Sequence, residues 1–127
     1  MTVTDRVAIV TGSGQGIGAG IAETLARAGA NVVVNDIFGD KATATAEAIA
    51  NAGGKAVAVV ADVADEAEVT SLVDHTLAEF GRVDILVNNV GIARDAWLAK
   101  MSLENWEEVL RVNLTSQFLT TRAVVPH

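Results

Sequence analysis

Thr11-Gly12-Ser13-Gly14-Gln15-Gly16-Ile17-Gly18 is the stretch from which the fold of the rest of the chain is read. It follows Arg6-Val7-Ala8-Ile9-Val10, a β-branched run too short for a helix and apolar on both faces, as a strand buried inside a parallel sheet is. It opens a segment in which Ile17, Ile21 and Leu25 recur every four residues, with Ala22 and Ala28 completing that face and Gly29 as its stop. Strand, glycine turn and helix form the context in which a glycine motif holds a dinucleotide. The turn must be tight, its backbone must come close to a pyrophosphate, and the helix must pack closely on its strand. Side chains at Gly12, Gly16 or Gly18 would each obstruct one of these. The unpaired N–H groups at the helix start, aided by the macrodipole, favour the ligand's negative charge without a lysine. Gly14-x-Gly16-x-x-Ala19 matches the common fingerprint loosely, whereas Thr-Gly-x-x-x-Gly-x-Gly fits Thr11 to Gly18 in full, and we prefer the second frame. The competing reading of the glycines is a plain flexible turn.

Working outward, Asn31-Val32-Val33-Val34-Asn35 predicts a second buried strand with Asp36 at its end. An acidic residue about 20 residues beyond the glycine turn accepts hydrogen bonds from the adenosine ribose and repels a 2′-phosphate. Gln15, Ile37 and Phe38 bring no cation to that point, so NAD is favoured over NADP; the competing role for Asp36 is a turn residue before Gly39-Asp40. Asp40 is expected to cap an alanine-rich helix over 41–51 whose alanines lie flat on the sheet. Ala56 to Ala61 predicts the third strand and leads into Asp62-Val63, where Asp62 is equally a turn acid or a residue that meets the adenine. Asp65 then opens a helix as a cap, with Glu68 in a capping-box variant and Val69, Leu72, Val73, Leu77 and Phe80 as its buried stripe, and Gly81 ends it.

Val83 to Val87 predicts the fourth strand, followed by the turn Asn88-Asn89-Val90-Gly91. Arg94 to Met101 reads as a loop or short helix, and Ser102 caps a last helix whose Trp106, Val109, Leu110, Leu114 and Phe118 form a broad apolar surface. Asn113 interrupts that surface; a poor helix former there either faces solvent or has a task. The alternation of strand and helix predicts an α/β fold, a Rossmann-like doubly wound parallel sheet with four strands in the order 3-2-1-4. That order sets Gly12, Asp36, Asp62 and Asn89 at the carboxyl ends of the strands, where one ligand can touch all four.

Composition narrows the function. At 127 residues, half of them apolar, the chain is one domain with a real core. A net charge of −7 and no basic stripe argue against nucleic acid or an anionic membrane as partner. The absence of cysteine excludes a disulfide frame, a thiolate zinc site and a cysteine nucleophile, and fits a cytoplasmic protein. No apolar run approaches membrane-spanning length. His75 with Glu79 is too little for a metal site, and Arg94, Lys100 and Arg111 read as scattered surface charge.

With Thr11-Gly12-x-x-x-Gly16-Ile17-Gly18, Asp62-Val63, Asn88-Asn89-Val90-Gly91 and Asn113 taken together, the chain resembles the short-chain dehydrogenases/reductases, in the classical branch with the 3-oxoacyl-carrier-protein reductases and hydroxysteroid dehydrogenases. The resemblance implies hydride transfer between a nicotinamide and a carbonyl or secondary alcohol. It implies that the Gly12 to Gly18 turn, Gln15 and Ile17 included, binds the pyrophosphate, Asp36 the ribose, and Asp62 and Val63 the adenine. Asn89, Val90 and Gly91 would lie along the cofactor and Asn88 would help hold the sheet; Val90 departs from the family's usual alanine. Asn113 would hold a water in the proton relay. The family's serine, tyrosine and lysine belong to a carboxyl-terminal half, and this sequence contains no tyrosine. The expectation is therefore an incomplete dinucleotide-binding domain over 1–127, the amino-terminal half of a reductase that is a likeness of a homo-oligomeric family. The alternatives are a non-catalytic NAD-binding module and a structural fragment that pairs with another chain through its fourth strand and last helix.

Overall fold

The computed structural model describes residues 2–127. Four strands, β1 (Val7–Val10), β2 (Asn31–Asp36), β3 (Lys55–Val60) and β4 (Ile85–Val87), pair in parallel in the order β3-β2-β1-β4. The register aligns Ala8 with both Val32 and Ile85, and Val33 with Val57. Alternate residues then face opposite layers. Ala8, Val10, Val32 and Val34 pack under α1 (Gly16–Arg27) and α2 (Gly39–Asn51), while Ile9, Val33 and Val59 meet α3 (Glu66–Phe80) and Leu119 of the last helix. Strands covered on both sides have no use for a polar face, which is why Val7–Val10 and the Val32, Val33 and Val34 run are apolar throughout.

The face by which α1 packs is not the one its isoleucines suggest. Gly18, Ala22 and Ala26 are buried, Ile21 and Leu25 flank them half-buried, and Ala28 is exposed. Ile17 stands 79% exposed at the helix start. Close approach of helix to sheet decides this, because only the smallest side chains fit between the two backbones.

Other boundaries also move for local reasons. Asp40 does not cap α2: the N-cap is Phe38, and Asp40 lies in the first turn. Asp36 Oδ1 accepts the Phe38 N–H at 3.0 Å, so the chain has already turned into the helix by Gly39. Asp65 caps α3, its Oδ1 accepting the Glu68 N–H at 2.9 Å. Glu68 does not close a capping box on Asp65, whose N–H is held by the Asp62 carbonyl at 3.0 Å; it accepts the Asp62 N–H instead, at 2.5 Å. The buried stripe of α3 includes Thr76, whose hydroxyl donates to the Leu72 carbonyl at 2.8 Å, while Leu77 and Phe80 are half-buried. β3 begins at Lys55 and ends at Val60, one residue ahead of the expected run. β4 is shorter than Val83 to Val87 because the Asp84 carboxylate, in place of a main-chain carbonyl, accepts the Val7 N–H at 2.9 Å.

The last helix is interrupted. Ser102 Oγ accepts the Asn105 N–H at 3.1 Å and starts α4 (Leu103–Leu110). A π-helical turn spans Arg111–Thr115, and α5 (Ser116–Val124) continues beyond it. Ser116, Leu119 and Thr120 of α5 are buried, whereas Trp106, Leu110, Leu114 and Phe118 point outward. No helix among the described residues is long and apolar enough to cross a membrane.

Candidate functional site

The glycine turn hangs between two strands. Thr11 N–H donates to the Val87 carbonyl at 3.0 Å and Ser13 N–H to the Asn35 carbonyl at 2.8 Å. Gly12 and Gly16 take φ of +61° and +57°, a region that side chains with a Cβ rarely adopt. A Cβ at Gly18 would stand 2.3 Å from the Gly12 carbonyl oxygen and 2.6 Å from Asn89 Nδ2. At Gly16 it would meet nothing within 4 Å, since this residue faces outward at the helix start. The hydrogen-bond ladder of α1 begins with Ala19 N–H on the Gln15 carbonyl at 3.2 Å, which leaves the Gly16, Ile17 and Gly18 N–H groups outside it. Gln15 supplies no side-chain cap, and the first turn carries no acid. Three main-chain donors and a positive dipole end thus stand in a cradle that a Cβ at Gly12 or Gly18 would crowd, which fits a pyrophosphate.

Asp36 is buried beside this cradle. Its Oδ2 accepts the Gly14 N–H at 3.0 Å and its Oδ1 the Phe38 N–H. Gly14, an unspecified position in the preferred frame, proves required: a Cβ there would lie 2.7 Å from Asp36 Oδ2 and 2.8 Å from Lys41 Cβ. The looser glycine frame carried that signal. The expectation of no cation at this point is also corrected. Lys41 folds back from the first turn of α2, its Nζ donating to Gln15 Oε1 at 2.8 Å and resting 4.8 Å from the centre of the Phe38 ring. Its neighbours in sequence do not reveal this, because the contact with Gln15 crosses from one βα unit to the next.

On the other side of the turn, Asn89 is a clamp. Its Nδ2 donates to the Thr11 and Gly12 carbonyls, each at 3.1 Å, and its N–H to Thr11 Oγ1 at 3.0 Å. Thr11, buried and absent from the predicted site, is the hub that joins β1 to the end of β4. Val90 is half-buried, and its Cγ2 would be 3.0 Å from a Cβ at Gly12. Asn88 ties β4 to α5 and not strand to strand: its Oδ1 accepts from Thr120 Oγ1 at 2.6 Å.

Further along the strand ends, Asp62 Oδ1 accepts the Ala64 N–H at 2.9 Å and Oδ2 lies 3.5 Å from Arg111 Nη1. Arg111 is therefore not a scattered charge. The Val63 side chain is buried in the core, so only its main chain can meet a ligand. Asn113 sits in the π turn and clasps Ile92, Oδ1 accepting the N–H at 2.7 Å and Nδ2 donating to the carbonyl at 2.8 Å. This is the task that its mid-helix position signalled, and it fixes the chain that leaves exposed Gly91. The structure thus brings Gly12, Gly14, Gly18, Asp36, Asn89 and Val90 into direct contact around the turn, with Asp62 and Asn113 joined more loosely through the π turn. The arrangement can bind an extended anion and a ribose. Among the described residues no group of three His, Asp or Glu forms a metal site.

Comparison with known proteins agrees with this geometry. The short chain dehydrogenase family profile matches residues 6–127. The chain is 49% identical over 126 residues to a 3-oxoacyl-[acyl-carrier-protein] reductase of Synechocystis, covering 96% of this chain and 50% of the relative. It is 45% identical over 129 residues to glucose 1-dehydrogenase 2 of Bacillus subtilis, covering 98% of this chain and 49% of that one. The crystal structure of a hydroxysteroid dehydrogenase from Escherichia coli superposes with a TM-score of 0.95 at 38% identity, over 98% of this chain and 53% of the other. The chain spans about half the length of the curated relatives it matches. With a glycine turn, a four-strand order and a sequence profile that all coincide, this chain belongs to the short-chain dehydrogenase family.

Proposed function

We propose that the chain binds NAD along the carboxyl ends of its strands, as the cofactor-binding part of an oxidoreductase acting between a carbonyl and a secondary alcohol. One observation carries this reading: the uncapped start of α1, Gly16 to Gly18, is held beside the buried Asp36 carboxylate through Gly14. Gly12, Gln15, Gly16, Ile17 and Gly18 receive the pyrophosphate, and Asp36 accepts from the ribose hydroxyls. Asp62 and the Val63 main chain border the adenine, and Asn89, Val90 and Gly91 flank the remainder. A bound nicotinamide supplies the hydride donor or acceptor. Asn113, whose Oδ1 and one Nδ2 hydrogen engage Ile92, orients the segment beside the reacting groups and keeps its second Nδ2 hydrogen and a further Oδ1 lone pair for a relay water. The reading includes a small carbonyl or alcohol substrate, a cytoplasmic setting and self-association through Trp106, Leu110, Leu114 and Phe118.

Calorimetric titration with NAD tests it. Saturable binding that Asp36→Ala weakens about tenfold, from loss of charge-assisted hydrogen bonds, is expected. An unchanged affinity overturns the ribose assignment. A second reading, NAD binding without turnover, is favoured by the absence of tyrosine from all 127 residues. It predicts tight NAD binding with no alcohol-dependent rise in absorbance of the reduced nicotinamide, and measurable turnover by the chain refutes it.

A further inference from the structure

The π turn Arg111–Thr115 reaches two separate loops at the carboxyl edge of the sheet. Asn113 clasps the main chain of Ile92, beyond β4, and Arg111 of the same turn directs its Nη1 to Asp62 Oδ2, beyond β3, at 3.5 Å. Asp62 is fixed in its own loop, with Oδ1 accepting the Ala64 N–H and its main-chain N–H donating to the Glu68 carboxylate, so Oδ2 is the oxygen turned toward the last helix. The turn between these two contacts is supported by side chains. Ser116 Oγ donates to the Val112 carbonyl at 2.5 Å and Gln117 Nε2 to the Asn113 carbonyl at 2.9 Å. A shift of Asp62 is therefore applied, through Arg111, to the same short turn that holds Ile92. The Arg111 and Asp62 side chains are 49% and 31% exposed, which leaves the pair within reach of a ligand at the strand ends.

We infer that Arg111 is a positioning residue that ties the adenine end of the site to the Asn113 clasp, so that a ligand seated on Asp62 alters the setting of Ile92 without touching it. The inference rests on the dinucleotide reading above, which puts adenine at Asp62. A half-exposed ion pair contributes little to overall stability and is screened by salt, so removing it leaves the fold in place while cutting the link.

Titration of the isotopically labelled protein with AMP, which carries adenine and ribose but no nicotinamide, isolates the link in heteronuclear NMR spectra. Saturating AMP is expected to displace the Ile92 main-chain amide and Asn113 side-chain amide resonances of the wild-type protein. In Arg111→Met, which keeps the stem, AMP is expected to bind within about fivefold of the wild-type affinity while both displacements fall by at least about half. Arg111→Lys, which keeps the charge, is expected to recover part of them, and rising salt to diminish them in the wild-type protein at saturating AMP. Well-dispersed spectra check that the variants fold, and the salt series carries the test if Arg111→Met does not. Equal displacements in the wild-type and Arg111→Met proteins overturn the inference alone. So do unmoved Ile92 and Asn113 resonances in the AMP-saturated wild-type protein, or binding of NAD without binding of AMP. Failure of both AMP and NAD to bind the wild-type protein overturns the dinucleotide reading and this inference with it.

Discussion

Two helices, α1 and α3, start at the same edge of the sheet and are finished in opposite ways. At α3 the Asp65 carboxylate accepts the Glu68 N–H, and Glu66 and Glu68 put two further acids in the first turn. At α1 neither a capping side chain nor an acid is present, and the turn ahead of it is built from glycine. A cap is worth about 1 kcal/mol, so α1 forgoes stability that the same chain takes elsewhere. The difference teaches that a bare helix start is informative only beside a finished one: α3 meets an unpaired N–H group with the Asp65 carboxylate, and α1 meets none of its own with a side chain.

The largest effect is expected where the cradle is tightest. Gly18→Ala would drive a Cβ into the Gly12 carbonyl and Asn89, and urea unfolding should register a loss of about 3 kcal/mol. Gly16→Ala meets no neighbour and should lose only about 1 kcal/mol, the cost of a left-handed backbone. Equal losses at the two positions would mean that backbone conformation, and not close packing, governs the turn.

Exchanging the two helix ends breaks the comparison directly. Gln15→Asp puts a carboxylate at the start of α1 and is expected to hold or raise stability by up to about 1 kcal/mol while weakening NAD at least about tenfold. Asp65→Ala should do the reverse, costing about 1 kcal/mol in urea unfolding with NAD affinity unchanged. A Gln15→Asp protein that binds NAD normally would show that the start of α1 does not face the pyrophosphate.

A pH-dependent effect belongs to a carboxylate at the opposite edge of the sheet. Asp84 has its pKa lowered from 3.8 to about 2 by the Val7 N–H and by hydrogen bonds and charge from Arg82 and Arg6, against the opposing influence of burial. A lowered folded-state pKa means that the contribution to stability is complete above the unfolded value of 3.8 and is lost as pH falls through about 2. The urea midpoint of Asp84→Asn should therefore lie below that of the wild-type protein at pH 5 and approach it near pH 2. A gap that stayed constant across that range would assign the difference to packing alone.

Much of the architecture is legible in the residues. The apolar runs fix four strands covered on both faces, and the caps Asp65 and Ser102 and the stop at Gly81 lie where their chemistry indicates. What local pattern misreads is distance between elements. Periodicity favours Ile17 for the core of α1, yet the sheet comes so close that Gly18, Ala22 and Ala26 take the buried places. Asn113 announces itself as an anomaly, but its partner Ile92 lies 21 residues away and its π turn has no sequence mark.

The sequence by itself determined the parallel α/β order, the glycine turn and the acid after the second strand, because hydrophobic period, backbone freedom and charge are properties of residues and their spacing. The tertiary structure alone decided that Asn89 clamps the turn and that Lys41 stands beside Gln15. Each of these is a contact between units 26 to 78 residues apart or between a side chain and a backbone brought beside it by the sheet, and such contacts exist only once β1, β2 and β4 have aligned their carboxyl ends.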